Sequence, residues 1–221
     1  MTTPTSRFPP PPDESEIPIH SRTYSVRAFR IDGETMRLRG QVTDTKPPGL
    51  YVEGDVEPLD VHDMMVDLTI SFPMLEILSA EVIFDTHPHL SCTSIESTFK
   101  QLAGVSIARG FNRNLTELFG GPRGCTHVVA LLRAMGPVAV QSIYSMEAAD
   151  PDRPGSHENR SDDLREREQR ALTFIRDSCH VWAVDGERFK AATAGAAHEA
   201  PIWIKQRLDK LGRSDELSSW R

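Results

Sequence analysis

Cysteine is among the scarcest residues of this chain, three in 221. So few thiols cannot build a disulfide framework, and their odd number fits a reducing compartment in which they stay free for metal binding or catalysis. Positive charge is short as well. Lys and Arg number 25 against 32 Asp and Glu, for a net charge of -7, which argues against nucleic acid as a partner because phosphate binding needs a basic face. No apolar run approaches the ~20 residues of a bilayer helix, and the opening Met1-Thr2-Thr3-Pro4-Thr5-Ser6-Arg7 lacks the basic and then apolar pattern of a secretory signal. The expectation is a cytoplasmic protein with neither membrane nor nucleic acid as its partner.

What is present divides into a tail, a core and an arm. Residues 1–17 are Pro-rich with almost no core-forming side chains, a composition that cannot offset the entropy of ordering and predicts a disordered tail. Residues 18–148 carry the patterning of one α+β domain. Tyr24, Val26 and Ala28 alternate with polar positions, Asp32-Gly33 marks a hairpin turn, and Met36, Leu38 and Val42 follow. A second alternating pair runs through Met64, Val66, Leu68, Ile70 and Phe72, then Leu78, Ala80, Val82 and Phe84. These are one-sided antiparallel strands, two consecutive hairpins that need helices on one face. Helices are predicted after Thr93-Ser94-Ile95-Glu96, which has the form of a capping box, near Leu115 to Phe119, and from Thr126 onward with a kink or break at Gly136-Pro137. Residues 149–163 read as a flexible polar loop. Residues 164–221 read as a helix-strand-helix arm on the core, with the strand through His180, Val181 and Ala183 and the last helix about Ala200 to Leu211.

The chemistry-bearing residues gather at element ends. Cys125 stands in Gly124-Cys125-Thr126-His127, Cys92 follows His87-Pro88-His89, and the third cysteine is the Cys179-His180 pair. Thiolate and imidazole are ready ligands for zinc or iron. His62 and Asp63 open the third strand, and helices packed side by side would bring their starting ends to it. A helix start also favours thiolate over thiol through its free N-H groups. The simpler reading of each residue is structural: a small buried cysteine, a solvated His87-His89 turn, Asp44 and Asp63 capping turns, and Arg27, Arg37 and Arg39 on a solvated strand face.

The order Val61-His62-Asp63-Met64-Met65-Val66-Asp67-Leu68-Thr69-Ile70, then Ala80 to Thr86 leading to Cys92, then Cys125-Thr126-His127 before an apolar helix, resembles the U-type (IscU/NifU-like) scaffold of iron-sulfur cluster assembly. That resemblance implies helices laid over a three-stranded antiparallel sheet and a site at the strand and helix starts. The first scaffold cysteine has no counterpart, its place being taken by His62, and the His-Cys pair becomes Cys-x-His. Most of residues 19 to 186 is also similar to a bacterial family of uncharacterised proteins, on Ile19-His20-Ser21-Arg22-Thr23-Tyr24, Thr43-Asp44-Thr45-Lys46, His62-Asp63-Met64 and Gly124-Cys125-Thr126-His127.

Three functions follow as expectations. The first is a zinc site of His62 or Asp63 with Cys92, Cys125 and His127, either closed and structural or open to a ligand. The second is a thiol enzyme with Cys125 or Cys92 as nucleophile and His127 as base, acting on a small acidic substrate held by the arginine-bearing hairpin. The third is a carrier or partner protein in metal or iron-sulfur handling, an iron-sulfur cluster being disfavoured by the lost cysteine.

Overall fold

The computed structural model describes residues 16–149, 172, 173, 175–195 and 200–218. The chain falls into two compact units, Met1–Arg153 and Pro154–Arg221. Most of the tail expected over residues 1–17, most of the loop expected over 149–163 and the start of the arm helix lie outside the described residues.

The first unit is the α+β domain that the hydrophobic alternation requires. Strands β1 (Ser21–Arg30), β2 (Thr35–Lys46), β3 (Leu59–Ser71) and β4 (Ile77–Thr86) form one antiparallel sheet in the order β1-β2-β3-β4. Strand side chains alternate between faces. Met36, Leu38 and Val42 of β2 and Met64, Val66, Leu68 and Ile70 of β3 therefore point to one side, where they are buried, while Arg37, Arg39, Asp63 and Asp67 take the other. The alternation breaks in β4. A register shift at Thr69/Ile70 pairs Ile70 with Ile77 and Thr69 with Ser79, so Ile77 is buried and Leu78, expected inside, is 50% exposed.

A 3-10 helix (Leu90–Leu102), α1 (Phe111–Phe119) and α2 (Thr126–Ala148) complete the core. One local expectation fails here, and of the kink or break expected at Gly136-Pro137 the break does not occur. The capping box does not form: the 3-10 run starts after His89, and the Glu96 carboxylate instead accepts the backbone N-H of Phe84 on β4 at 3.2 Å. Tertiary contact outcompetes the local motif. Helix α2 runs unbroken through Pro137; the carbonyl that loses its N-H partner there is that of Arg133, a residue on the exposed side of the helix. Gly136 marks a close approach: a Cβ there would stand 3.2 Å from Phe111 of α1.

Among described helices α2 is long and apolar enough to cross a membrane by length and composition. Here it is the core helix. Val128, Leu131, Leu132, Met135 and Ala139 are fully buried in the hydrophobic cluster with the sheet, and burying each large side chain contributes roughly 1.5–3 kcal/mol.

In the second unit, 3-10 helix His180–Trp182, α3 (Glu187–Thr193), α4 (Ile202–Lys210) and a 3-10 turn Ser214–Ser218 follow one another. The expected strand through His180 is a 3-10 turn instead, closed by the Trp182 N-H on the Cys179 carbonyl at 3.0 Å, with the Asp177 N-H donating to the Trp182 carbonyl at 2.9 Å.

At Gly40 of β2 the side chains of α2 close directly over the strand. A Cβ at this position would lie 2.7 Å from Met135 Sδ and 3.0 Å from Leu131 Cδ1. Overpacking of this kind costs about 1–3 kcal/mol. Urea denaturation of Gly40→Val should show a loss in that range, and adding Met135→Ala should cost less than the sum of the two single changes, since the second substitution removes the clashing sulfur.

Candidate metal centre

The buried parity of β2 continues past Val42 to Asp44, and this places a carboxylate, 1% exposed, at the end of an apolar row. The register then sets its neighbours. Arg22 of β1 stands directly across from Asp44 on one side and His62 of β3 on the other. Above them the first turn of α2 supplies His127. The turn that delivers it needs glycine: Gly121 has φ +60°, and a Cβ on Gly124 would come within 2.6 Å of the Phe119 carbonyl oxygen.

Arg22 binds Asp44 with both ends of its fork, Nε to Oδ1 at 2.6 Å and Nη2 to Oδ2 at 2.7 Å. Such bidentate, charge-assisted pairs are strong and directional. His20 Nε2 approaches Oδ1 at 3.4 Å. On the other oxygen, His62 Nδ1 and His127 Nε2 lie 3.1 and 3.3 Å from Oδ2. The two imidazoles stack with centroids 3.9 Å apart. The buried Nδ1 of His62 makes no hydrogen bond despite its short distance to the carboxylate. The opposite nitrogen of His127, Nδ1, is 3.5 Å from Cys125 Sγ.

Electrostatics fix the protonation states. The hydrogen bonds from Arg22 outweigh burial and hold the Asp44 carboxyl at about 2, with the charges of Arg22, His127 and His20 adding to the effect. His127 moves down from the ordinary histidine value. Burial is the main cause, the His62 and Arg22 charges reinforce it, and Asp44 opposes it. Near neutral pH the site is an ionised carboxylate facing a neutral His127 ring, the form in which imidazole is a ligand or a base.

Among the described residues, one ligand atom each from Asp44, His62 and His127 lie within 4.8 Å of one another, a group that can hold a metal ion. Of the residues predicted from sequence, the structure gathers His62 and His127 with Cys125 at their edge. It does not bring in Asp63 or Cys92. Asp63 follows His62 on the strand and so points to the opposite face, where Gln41 Nε2 donates to both its oxygens at 2.9 Å. Cys92 lies inside the 3-10 run and packs against the hydrophobic core. His87 is half-buried beyond β4 with its Nδ1 unbonded, and Cys179 is exposed in the second unit. Sequence reasoning missed Asp44, Arg22 and His20. The available signal was parity: Asp44 falls on the inward frame of Met36, Leu38, Gly40 and Val42, where an unpartnered carboxylate would be costly.

The architecture and the cluster define an α+β domain with a two-histidine, one-carboxylate centre at the end of its sheet. The family model described as "Protein of unknown function (DUF2889)" matches residues 20–141, more than half of the chain and all of the residues of this cluster, and the protein belongs to that family. No curated protein and no solved structure matches the chain.

Because Asp44 has a lowered folded-state value, its contribution to stability is complete above the ordinary carboxylate range and is lost as pH falls toward 2. In chelator-treated protein Asp44→Asn should be destabilised at pH 5, and its deficit relative to wild type should shrink by about 2 kcal/mol between about pH 4 and pH 2. Urea titrations at successive pH values measure that difference.

Proposed function

We propose that the protein binds one zinc ion through Asp44, His62 and His127, with a fourth position open to water or a substrate. The observation that carries this reading is the convergence of two imidazole nitrogens on one carboxylate oxygen, at 3.1 and 3.3 Å. Ligands bonded at ~2.0–2.1 Å around a tetrahedral ion stand about 3.3 Å apart. The unbonded Nδ1 of His62 fits the same role. Ligand chemistry favours zinc over an iron-sulfur cluster: the atoms gathered are two nitrogens and an oxygen, whereas clusters are held by cysteine thiolates.

Arg22 is compatible with this arrangement, since an ionised carboxylate offers about four lone-pair sites. Held by Arg22, Asp44 stays ionised and oriented at every pH at which His127 is neutral. Cys125 lies against the far nitrogen of His127 and so helps to orient the ring. Three protein ligands and an open position are the pattern of catalytic rather than structural zinc; such an ion polarises a carbonyl or lowers the pKa of bound water.

A second reading rests on the same ring. Cys125 Sγ, His127 Nδ1, His127 Nε2 and Asp44 Oδ2 follow in the order nucleophile, base and orienting carboxylate, which is the arrangement of a thiol enzyme.

Elemental analysis after zinc loading and exhaustive dialysis decides between them. One zinc per chain is expected in wild type and in Cys92→Ser, with affinity lowered at least tenfold in His62→Ala, His127→Ala and Asp44→Asn. Wild-type protein that retains no metal, but whose Cys125 is alkylated by iodoacetamide in a manner that depends on His127, would replace the zinc reading with the thiol one.

A further inference from the structure

The metal cluster adjoins a cleft at the open end of the β1-β2 pair. Pro18, His20, Ser21, Thr45, Lys46, Pro47 and Pro58 line it. Two features give the cleft a chemical preference. Its walls are mostly apolar, and the three prolines have fixed φ angles, so the walls lose little freedom when a ligand is bound. Its ionisable lining residues are His20 and Lys46, with no carboxylate among the lining residues. Lys46 lies two residues beyond Asp44 on β2, with its ammonium group 5.7 Å from the centre of the Tyr51 ring. His20 joins the cleft to the cluster, since its Nε2 is 3.4 Å from Asp44 Oδ1.

Arg22, the neighbouring cation, is already committed to Asp44; Asp60, paired with Thr45 in the β2-β3 ladder, accepts the Thr45 hydroxyl at 2.6 Å and keeps its charge outside the lining. Lys46 is therefore the lining cation that neither a lining carboxylate nor the cluster neutralises. A single ammonium in an apolar, proline-walled setting suits a monovalent anion with an apolar body better than a doubly charged, strongly hydrated phosphate.

We propose that this cleft is the substrate subsite of the centre and takes a small carboxylate with a short apolar chain, the carboxylate against Lys46 and His20 and the chain against Pro18, Pro47 and Pro58. The inference rests on the zinc reading for what reacts beside the cleft, but not for binding in it.

Isobutyrate is the probe, followed by amide chemical shifts of the full chain, with zinc content measured on the same samples. Saturable shifts at Ser21, Thr45 and Lys46 are expected, at least tenfold weaker with isobutyramide and in Lys46→Met, which keeps the apolar stem and removes the charge. Lys46→Met that still folds and binds isobutyrate as wild type does would overturn the proposal. So would isobutyramide binding equally well, or inorganic phosphate binding more tightly. Wild type that retains no zinc after loading and dialysis but gives the expected shifts would sink the zinc reading and leave the cleft standing, whereas zinc-loaded protein without shifts would sink the cleft alone.

Discussion

A carboxylate with 1% of its side chain exposed must be compensated where it stands, and the Asp44-Arg22 pair is the constraint around which the end of this sheet is arranged. Withdrawing one ionised group from water costs several kcal/mol, and a buried charge that loses its partner is strongly destabilising. Arg22 meets that cost with a two-point hydrogen bond while its own side chain stays about one-third exposed. The guanidinium thus keeps part of its hydration, and the carboxylate gives up nearly all of its own. Asp44 is thereby left as a fixed, ionised acceptor with lone pairs to spare.

Sheet geometry explains why histidines meet that acceptor. In an antiparallel ladder, directly paired residues share a face, so the register that sets Asp44 between Arg22 and His62 sends all three side chains to the helix-covered side. Helix α2 then has to start above this row. Its course along the sheet is fixed farther on by Leu131, Met135 and the glycine gap at Gly40. The apolar packing of a 23-residue helix, not any local property of Thr126-His127, aims the first turn at the carboxylate. Fold and site are in this sense one structure: loosening the packing at Gly40 would move His127.

Much of this was legible in the residue pattern and some was not, for physical reasons. Period-two alternation through Met64 to Ile70 and the Asp32-Gly33 turn foretell the two hairpins, because burial on one face leaves few alternatives. His62 and the Cys125-His127 turn are visible as rare ligand types at element starts. Asp63 is the instructive miss. It carries the right chemistry beside His62, but a strand turns adjacent side chains to opposite faces, and parity alone separates the two. Cys92 fails differently, since the capping box that would have put it before a helix gives way to the bond between Glu96 and the Phe84 N-H. Asp44 was hidden by its ordinariness: an aspartate near a strand end reads as a turn residue until its inward parity is counted. Arg22 and His20 stand in the Ile19 to Tyr24 stretch that carries the family resemblance, but nothing in that stretch names their role, which exists only once β1 is laid beside β2.

The chemistry of the site turns on His127, whose ring has one nitrogen toward Asp44 and the other toward Cys125. A neutral imidazole has one N-H and one lone pair, so it cannot serve both neighbours in the same capacity. If Nε2 gives its lone pair to a metal, Nδ1 carries the proton and Cys125 lies beside an N-H donor, a setting that orients the ring. If Nε2 keeps its proton and donates to Asp44 Oδ2, Nδ1 offers its lone pair to the thiol and becomes a base. The second histidine separates these cases. A thiol relay needs no second imidazole stacked 3.9 Å away, and that ring brings a competing positive charge whenever it is protonated, which is one reason the His127 value is lowered. A metal centre uses the same ring directly, because a divalent cation gains from every neutral nitrogen it meets. The placement of His62, half-buried, stacked on its neighbour and with its Nδ1 unbonded beside the same carboxylate oxygen, has a use in the metal arrangement and only a cost in the thiol one.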